Sequence, residues 1–168
     1  MSSLKPGETM YKTLFLSILS TIFIGCSSTT ALKHFKKEEI EAKAMQYTKK
    51  ADVIINKEQK VLFWATYLNK IDIKEFESDY ETFLTSLYFV GSKSQDINDN
   101  NYSFTLDTKK PISLEEISKD NKLYKEILSK NTWGKYYLLK FKKDEKNSNL
   151  LLILSNTKSN SAKLSFEK

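Results

Sequence analysis

The chain has very few of the residues that build disulfides, metal sites and nucleophilic active sites. Its 168 residues include one cysteine, one histidine and no arginine. A single cysteine excludes an internal disulfide, and a structural zinc site requires several Cys or His ligands. Arginine makes the best bidentate contacts with phosphates and base edges, so its absence disfavours specific nucleic-acid recognition. We therefore expect no metal site, no cofactor and no nucleic-acid partner.

Motifs of known catalytic machinery are missing as well. The sequence has no Gly-x-Ser-x-Gly, no glycine-rich phosphate loop and no His-Glu-x-x-His. The only histidine, His34, falls on a predicted helix outside the main domain, where it is poorly placed for a Ser-His-Asp arrangement. The nearest acidic groupings, Glu115–Glu116 and Asp79–Glu81, have the composition of ordinary surface. We expect that the protein is not an enzyme.

All of the positive charge is carried by lysine. Twenty-seven lysines against 21 acidic residues give a net charge of +6. The lysines are interleaved with acidic residues instead of forming one stripe, which is typical of a solvated surface. A basic face for anionic lipid or glycan is the alternative.

The first 26 residues contain the parts of an export signal in their usual order. Lys12 precedes a short, largely apolar run from Leu14 to Ile24. That run is well short of the roughly 20 residues needed to span a bilayer, and its length is typical of a signal peptide. It ends at Gly25 and Cys26, and a polar stretch follows.

The four residues Phe23-Ile24-Gly25-Cys26 resemble the lipobox of bacterial lipoproteins. Gly25 and Cys26 match its pattern, whereas Phe23 stands where leucine is commonest and Ile24 where a small residue is commoner. The resemblance implies cleavage between Gly25 and Cys26. It also implies a diacylglyceryl group on the Cys26 thiol and acylation of the new amine.

The same resemblance predicts where the protein is located and where its translation starts. Ser27, after the cysteine, lacks the aspartate associated with inner-membrane retention, so we expect the outer membrane, on its periplasmic or its surface face. Residues 1–9 precede the usual beginning of such a signal. Translation is therefore predicted to start at Met10, which makes residues 10–25 the signal peptide.

The chain after the cysteine is predicted to begin with a tether and a helix. Residues 26–31 are polar, and residues 32–51 have apolar positions at helical spacing, at Ile40, Ala44, Tyr47 and Ala51. We expect this helix to pack against the following domain. A helix lying on the membrane surface is the alternative.

Residues 52–168 have the pattern of a β domain. Six runs are apolar or alternate with period two: Val61–Leu68, Phe83–Val90, Tyr102–Leu106, Tyr136–Phe141, Leu150–Leu154 and Ala162–Phe166. They predict a mainly β fold, an Ig-like antiparallel sandwich of two sheets and six or seven strands. A closed barrel is the alternative.

The links between these runs give further expectations. Asp144–Asn149 and Ser155–Ser161 have the composition of hairpin loops. In Pro111–Lys130, Ser113 and Glu116 form a capping-box pattern, which predicts short helical turns crossing between the sheets. Glycine and proline are scarce for such a fold, so Lys, Asn and Ser are expected to form the turns.

Two surface features are candidates for binding or modification. Asn101, in Asp99-Asn100-Asn101-Tyr102-Ser103, is a candidate acceptor for N-linked glycan in a polar loop. Trp133, with nearby Tyr136, is a candidate exposed aromatic contact. The acidic stretch Asp96–Asn101 resembles a calcium loop in composition but lacks its ligand spacing.

These observations favour a lipid-anchored, non-catalytic interaction module that binds an envelope protein or an external ligand such as a glycan. The first alternative is an enzyme or enzyme accessory acting on glycan or peptidoglycan. The second is a structural subunit of an envelope assembly, with the N-terminal helix as its docking element.

Overall fold

The structure, a computed structural model, describes residues 29–125, 127 and 133–168. For residues 29–36 and 38 it describes the backbone only. The chain divides into two compact units, residues 1–36 and 37–168. In the first unit, the described residues begin helix α1, Thr29–Gln46. The export segment, with Gly25 and Cys26, lies outside the described residues.

Helix α1 begins three residues earlier and ends five residues earlier than the predicted range of 32–51, and a strand follows it directly. Strand β1 spans Thr48–Ile55, so residues 48–51, predicted as helix, are extended. Ala51 lies opposite Phe63 of the neighbouring strand, in an antiparallel ladder that replaces the helical hydrogen bonds. At the junction, the Thr48 hydroxyl donates to the carbonyl of Ala44 at 2.7 Å.

In the described part of the chain, eight strands build two antiparallel sheets. The predicted two-sheet sandwich is confirmed, with more strands than the six or seven predicted. The remaining strands, in chain order, are β2 Glu58–Tyr67, β3 Tyr80–Phe89, β4 Tyr102–Leu106, β5 Ser113–Ile117, β6 Lys135–Lys142, β7 Asn149–Asn156 and β8 Ser161–Glu167. The larger sheet has the order β1-β2-β3-β6-β5, and the smaller has the order β4-β7-β8. Two short 3₁₀ turns, Leu68–Lys70 and Lys74–Phe76, lie between β2 and β3.

The main core lies between the sheets and follows the period-two alternation of the strands. In β8 the predicted inward residues Ala162, Leu164 and Phe166 are buried, and the residues between them are exposed. Rings from both sheets meet in this core: Phe83 lies 5.2 Å from Phe166 and 5.0 Å from Tyr67, measured between ring centroids. Burial of such side chains is the main source of the sandwich's stability.

A second apolar cluster covers part of the outer face of the larger sheet. It explains why β3 and β6 are apolar at successive positions, because both of their faces are buried there. Its buried members are Ala44, Leu68, Ile71, Phe76, Leu84, Ile117, Tyr136 and Leu138.

Residues other than glycine form most of the left-handed turns in the described part of the chain. The β1–β2 hairpin turns through Asn56 and Lys57, with φ of 54° and 68°. Positive φ at both central residues is the requirement of a type I′ turn, which matches the twist of the strands. Asn101, Asp107, Ser159 and Gly91 also have positive φ. The expectation that polar residues replace glycine in the turns is confirmed.

Two predicted connections are wrong. Pro111–Lys130 does not begin with helical turns, because Ser113–Ile117 is strand β5 and pairs with β6 in one sheet. The turns lie later, where the Lys125 N–H donates to the carbonyl of Asn121. Asp144–Asn149 is not a hairpin loop, since β6 and β7 belong to different sheets. Ser155–Ser161 does close a hairpin, between β7 and β8.

Candidate functional site

A cleft of about 1080 Å³ lies at the end of the sandwich where β2 stops and β3 starts. Its walls are the segment 68–79, the ends of β2 and β6, and the residue that follows β8. Two residues of the cleft, Tyr67 and Glu81, point into the main core between the sheets. The cleft thus joins the solvent to one end of that core.

Glu81 is the carboxylate at the floor of this cleft, and it is only 1% exposed. Its Oε1 lies 2.8 Å from the Lys168 ammonium, and its Oε2 accepts a hydrogen bond of 2.5 Å from the Tyr67 hydroxyl. Burial, followed by this hydrogen bond to the carboxylate, raises the pKa of the Tyr67 phenol. A charge so far from water requires such partners.

The alternation of β3 explains why Glu81 points inward. Glu81 has the same parity as Phe83, Leu87 and Phe89, all of which are buried. In a strand, residues two apart lie on the same face. Asp79–Glu81 was predicted to be ordinary surface, and for Glu81 this prediction is wrong.

The side chain of Asn69 fixes the start of β3 beside the cleft. Its Nδ2 donates to the carbonyl of Tyr80 at 2.8 Å, and its Oδ1 accepts from the N–H of Thr82 at 2.8 Å. These two bonds flank Glu81 and imitate a pair of ladder hydrogen bonds beyond the end of β2. They hold the backbone that carries the buried carboxylate.

Lys168 also ties the loop between β6 and β7 to the cleft. Its ammonium donates to the carbonyl of Asp144, and its backbone N–H donates to the carbonyl of Ser148 at 2.9 Å. The Asp144 carboxylate pairs with Lys109 at 2.8 Å, and that contact holds the pKa of Asp144 below its ordinary value. One ammonium therefore connects a strand of the larger sheet with the inter-sheet loop.

The rim of the cleft carries charges of both signs. Lys70, Lys140 and Lys143 line it together with Asp72, Glu77, Asp79 and Glu145. Within the described part of the chain, none of these seven lies within 4.0 Å of an opposite charge. The charges on the floor of the cleft neutralise each other, whereas the charges on its rim form no ion pairs.

The predicted aromatic contact does not form as a pair. Trp133 is 74% exposed just before β6, whereas Tyr136 is 3% exposed and belongs to the second apolar cluster. Tyr136 is buried because segment 68–76 and the end of α1 cover the outer face of the larger sheet. The prediction that Tyr136 forms an exposed contact is wrong, and neither aromatic residue lies at the cleft.

Asn101 is exposed at the end of the β3–β4 loop, and φ there is 58°. Its N–H donates to the carbonyl of Asn98 at 2.9 Å, and the Asp99 carboxylate accepts from the hydroxyl of Ser94 at 2.6 Å. Asp96 accepts from the N–H of Asn98, a bond that holds the pKa of this carboxylate below its ordinary value. The acidic residues of the loop thus hold its backbone, and glycosylation of Asn101 stays a prediction.

Three residues of the cleft floor were missed by sequence reasoning. The parity of Glu81 within an apolar run was an available signal, because an acidic residue at an inward position requires a partner. Tyr67 was seen only as an aromatic residue of a strand, and no local pattern joins Lys168 to position 81. Glu81, Tyr67 and Lys168 come together only because of the order of the strands in the sheets.

Within the described residues, no helix is both long enough and apolar enough to cross a membrane. No family model, no curated protein and no solved structure matches the chain.

Proposed function

We propose that this protein is a lipid-anchored, non-catalytic binding module of the bacterial cell envelope, and that it binds its partner at the cleft. The observation that carries the proposal is the cleft itself, an open concavity whose floor is an internally satisfied ion pair. Concave sites with a few fixed polar groups are the usual form of a ligand site.

The state of Glu81 favours binding over hydrolysis. Glycoside hydrolysis uses two carboxyl groups, one as an acid and one as a base or nucleophile, each directed at the substrate. Both oxygens of Glu81 are occupied, by Lys168 and by Tyr67. This arrangement rigidifies the floor of a binding site and leaves neither oxygen of that carboxylate without an internal partner.

The anchor rests on the lipobox resemblance at Gly25 and Cys26. Two or three acyl chains are enough for stable anchoring, since each buried methylene contributes about 0.8 kcal/mol. With Ser27 after the cysteine, the outer membrane is the proposed location. Helix α1 begins at Thr29, so of the predicted tether 26–31 the residues before Thr29 would link the lipid to this helix.

Site-specific photo-crosslinking in intact cells tests the binding site. Tyr80, on the cleft rim, and Leu123, away from it, are both 41% exposed, so benzoylphenylalanine at either position is matched in accessibility. We expect a discrete adduct from position 80 and none from position 123. Equal labelling at both positions, or labelling at 123 alone, would show that the cleft is not the contact surface.

A further inference from the structure

The cleft differs from an ordinary small-molecule pocket in its lining. Such pockets are mostly apolar and have volumes of roughly 300–1,000 Å³. Here two of the apolar residues, Ile71 and Phe76, are 3% and 5% exposed, and Tyr80 supplies the accessible aromatic surface. A lipid chain or an apolar ligand would bury little surface in this cleft.

The charged residues of the cleft fall into two groups, those that form an ion pair within the protein and those that do not. Glu81 and Lys168 neutralise each other at the floor. The rim charges, from Lys70, Lys140, Lys143, Asp72, Glu77, Asp79 and Glu145, make no ion pair with one another. Three cations and four anions therefore lie around one concavity.

This mixture of charges restricts the chemistry of a ligand. A polyanion, such as a phosphate-rich polymer, would meet four carboxylates, and a polycation would meet three ammonium groups. Like charges brought together across an interface are unfavourable, whereas complementary charges determine specificity and orientation. A neutral ligand could form hydrogen bonds with these groups but would gain no charge pairing from either set.

We infer that the cleft binds a peptide segment that carries both ammonium and carboxylate groups. This inference rests on the proposed function and gives it a ligand class. A peptide is an oligomer whose side chains and ends supply both charges, and it can extend along a cleft of about 1080 Å³. Its amides would complement the polar groups of Ser78 and the rim, and Tyr80 would contact its apolar atoms.

Two single charge reversals discriminate this ligand class from the others. Lys143→Glu and Glu145→Lys change exposed cleft residues, so both variants are expected to fold. A zwitterionic peptide is weakened by both reversals, each by about threefold to fivefold for an exposed charge pair. Binding of a polyanion is weakened by the first reversal and strengthened by the second. Binding of a neutral glycan is expected to change with neither. Lys158→Glu, in the β7–β8 hairpin at the other end of the sandwich, is the control.

The experiment is an NMR titration of the full-length protein in detergent micelles. The probes are the hexapeptide Lys-Ala-Glu-Lys-Ala-Glu with free ends, a Gly-Ser hexapeptide, and chitohexaose. We expect amide shifts around segment 68–79 with the charged hexapeptide alone, and weaker binding in both cleft variants. Shifts with chitohexaose alone would overturn the ligand class and leave the cleft as the binding site. No shift with any probe, together with no crosslink from position 80, would overturn both proposals.

Discussion

The Nζ atom of Lys168 lies 2.8 Å from Oε1 of Glu81, and this contact joins the residue after β8 to the start of β3. The two partners differ in their access to water, because the Glu81 side chain is 2% exposed and the Lys168 side chain 23%. This asymmetry means that removing one partner is not equivalent to removing the other.

Lys168→Met is expected to destabilise the protein more than Glu81→Gln. The first change leaves a buried carboxylate without a cation, for which a loss of about 3 kcal/mol is reasonable. The second leaves an ammonium that can reach solvent and an amide that still accepts from Tyr67, so we expect about 1 kcal/mol. Urea unfolding gives both values. Lys163→Met, on the exposed face of β8, is the matched control and should cost under about 0.5 kcal/mol. Equal losses for the two cleft variants would contradict the assigned asymmetry.

Tyr67 should make stability sensitive to alkaline pH. Its folded-state pKa is raised by burial and by the hydrogen bond to Glu81, so the folded state holds the phenolic proton more tightly. That contribution is present below the unfolded pKa of about 10 and is lost as the pH rises above it. One such group adds a slope of up to about 1.4 kcal/mol per pH unit.

Tyr67→Phe should therefore be less stable than the wild type at pH 8 and lose less stability between pH 10 and pH 11. Urea unfolding at these three pH values measures the slope. Tyr80→Phe, at the exposed rim, is the control and should keep the wild-type slope. A slope for Tyr67→Phe that is as steep as the wild-type slope would exclude Tyr67 as the titrating group.

Gly134 is predicted to tolerate no side chain. A Cβ built there would lie 2.3 Å from the carbonyl oxygen of Leu87, which is backbone and cannot move aside without disturbing β3. Gly134→Ala should cost about 3 kcal/mol, at the upper end of overpacking effects. At Gly91 nothing lies within 4 Å, and only its φ of +70° opposes a side chain. Gly91→Ala should cost about 1 kcal/mol. Thermal unfolding compares the stability losses of the two variants. A larger loss for Gly91→Ala than for Gly134→Ala would contradict the packing at Gly134.

Lys57→Gly should stabilise the β1–β2 hairpin. Lys57 has a φ of 68° at the second central position of a type I′ turn, where Asn-Gly is preferred. Relief of this strain should outweigh the added freedom of the unfolded chain and raise the free energy of unfolding by about 0.5 kcal/mol. Lys158→Gly, in the other hairpin at a residue without positive φ, should instead destabilise the protein. A loss of stability in Lys57→Gly would show that the turn is not strained.

The sequence predicted the elements whose pattern is set locally. The alternation of Ala162, Leu164 and Phe166 with polar residues identified β8, and the same rule identified β4. Strand β1 was missed over residues 48–51 because Tyr47 and Ala51 continue the helical spacing of α1, and only pairing with β2 decides the conformation there. Strand β5 was missed because four of its five residues are exposed, so no apolar alternation marks it.

The cleft could be predicted only in part, since its floor joins residues distant in sequence. The inward parity of Glu81 in β3 would have been enough to place it in the core, although it was predicted to lie on the surface. That Lys168 is its partner follows from the order of the strands in two different sheets, which local patterns do not encode. The same non-local effect buried Tyr136, whose local pattern fits either face of β6.

We propose that Cys26 holds this domain on a membrane through lipid. Mass spectrometry of the N-terminal peptide of the protein purified from membranes tests this anchor. We expect a peptide that begins at Cys26 and carries a diacylglyceryl group, with or without a third acyl chain. A mature N-terminus before residue 26, or an unmodified thiol at Cys26, would contradict it.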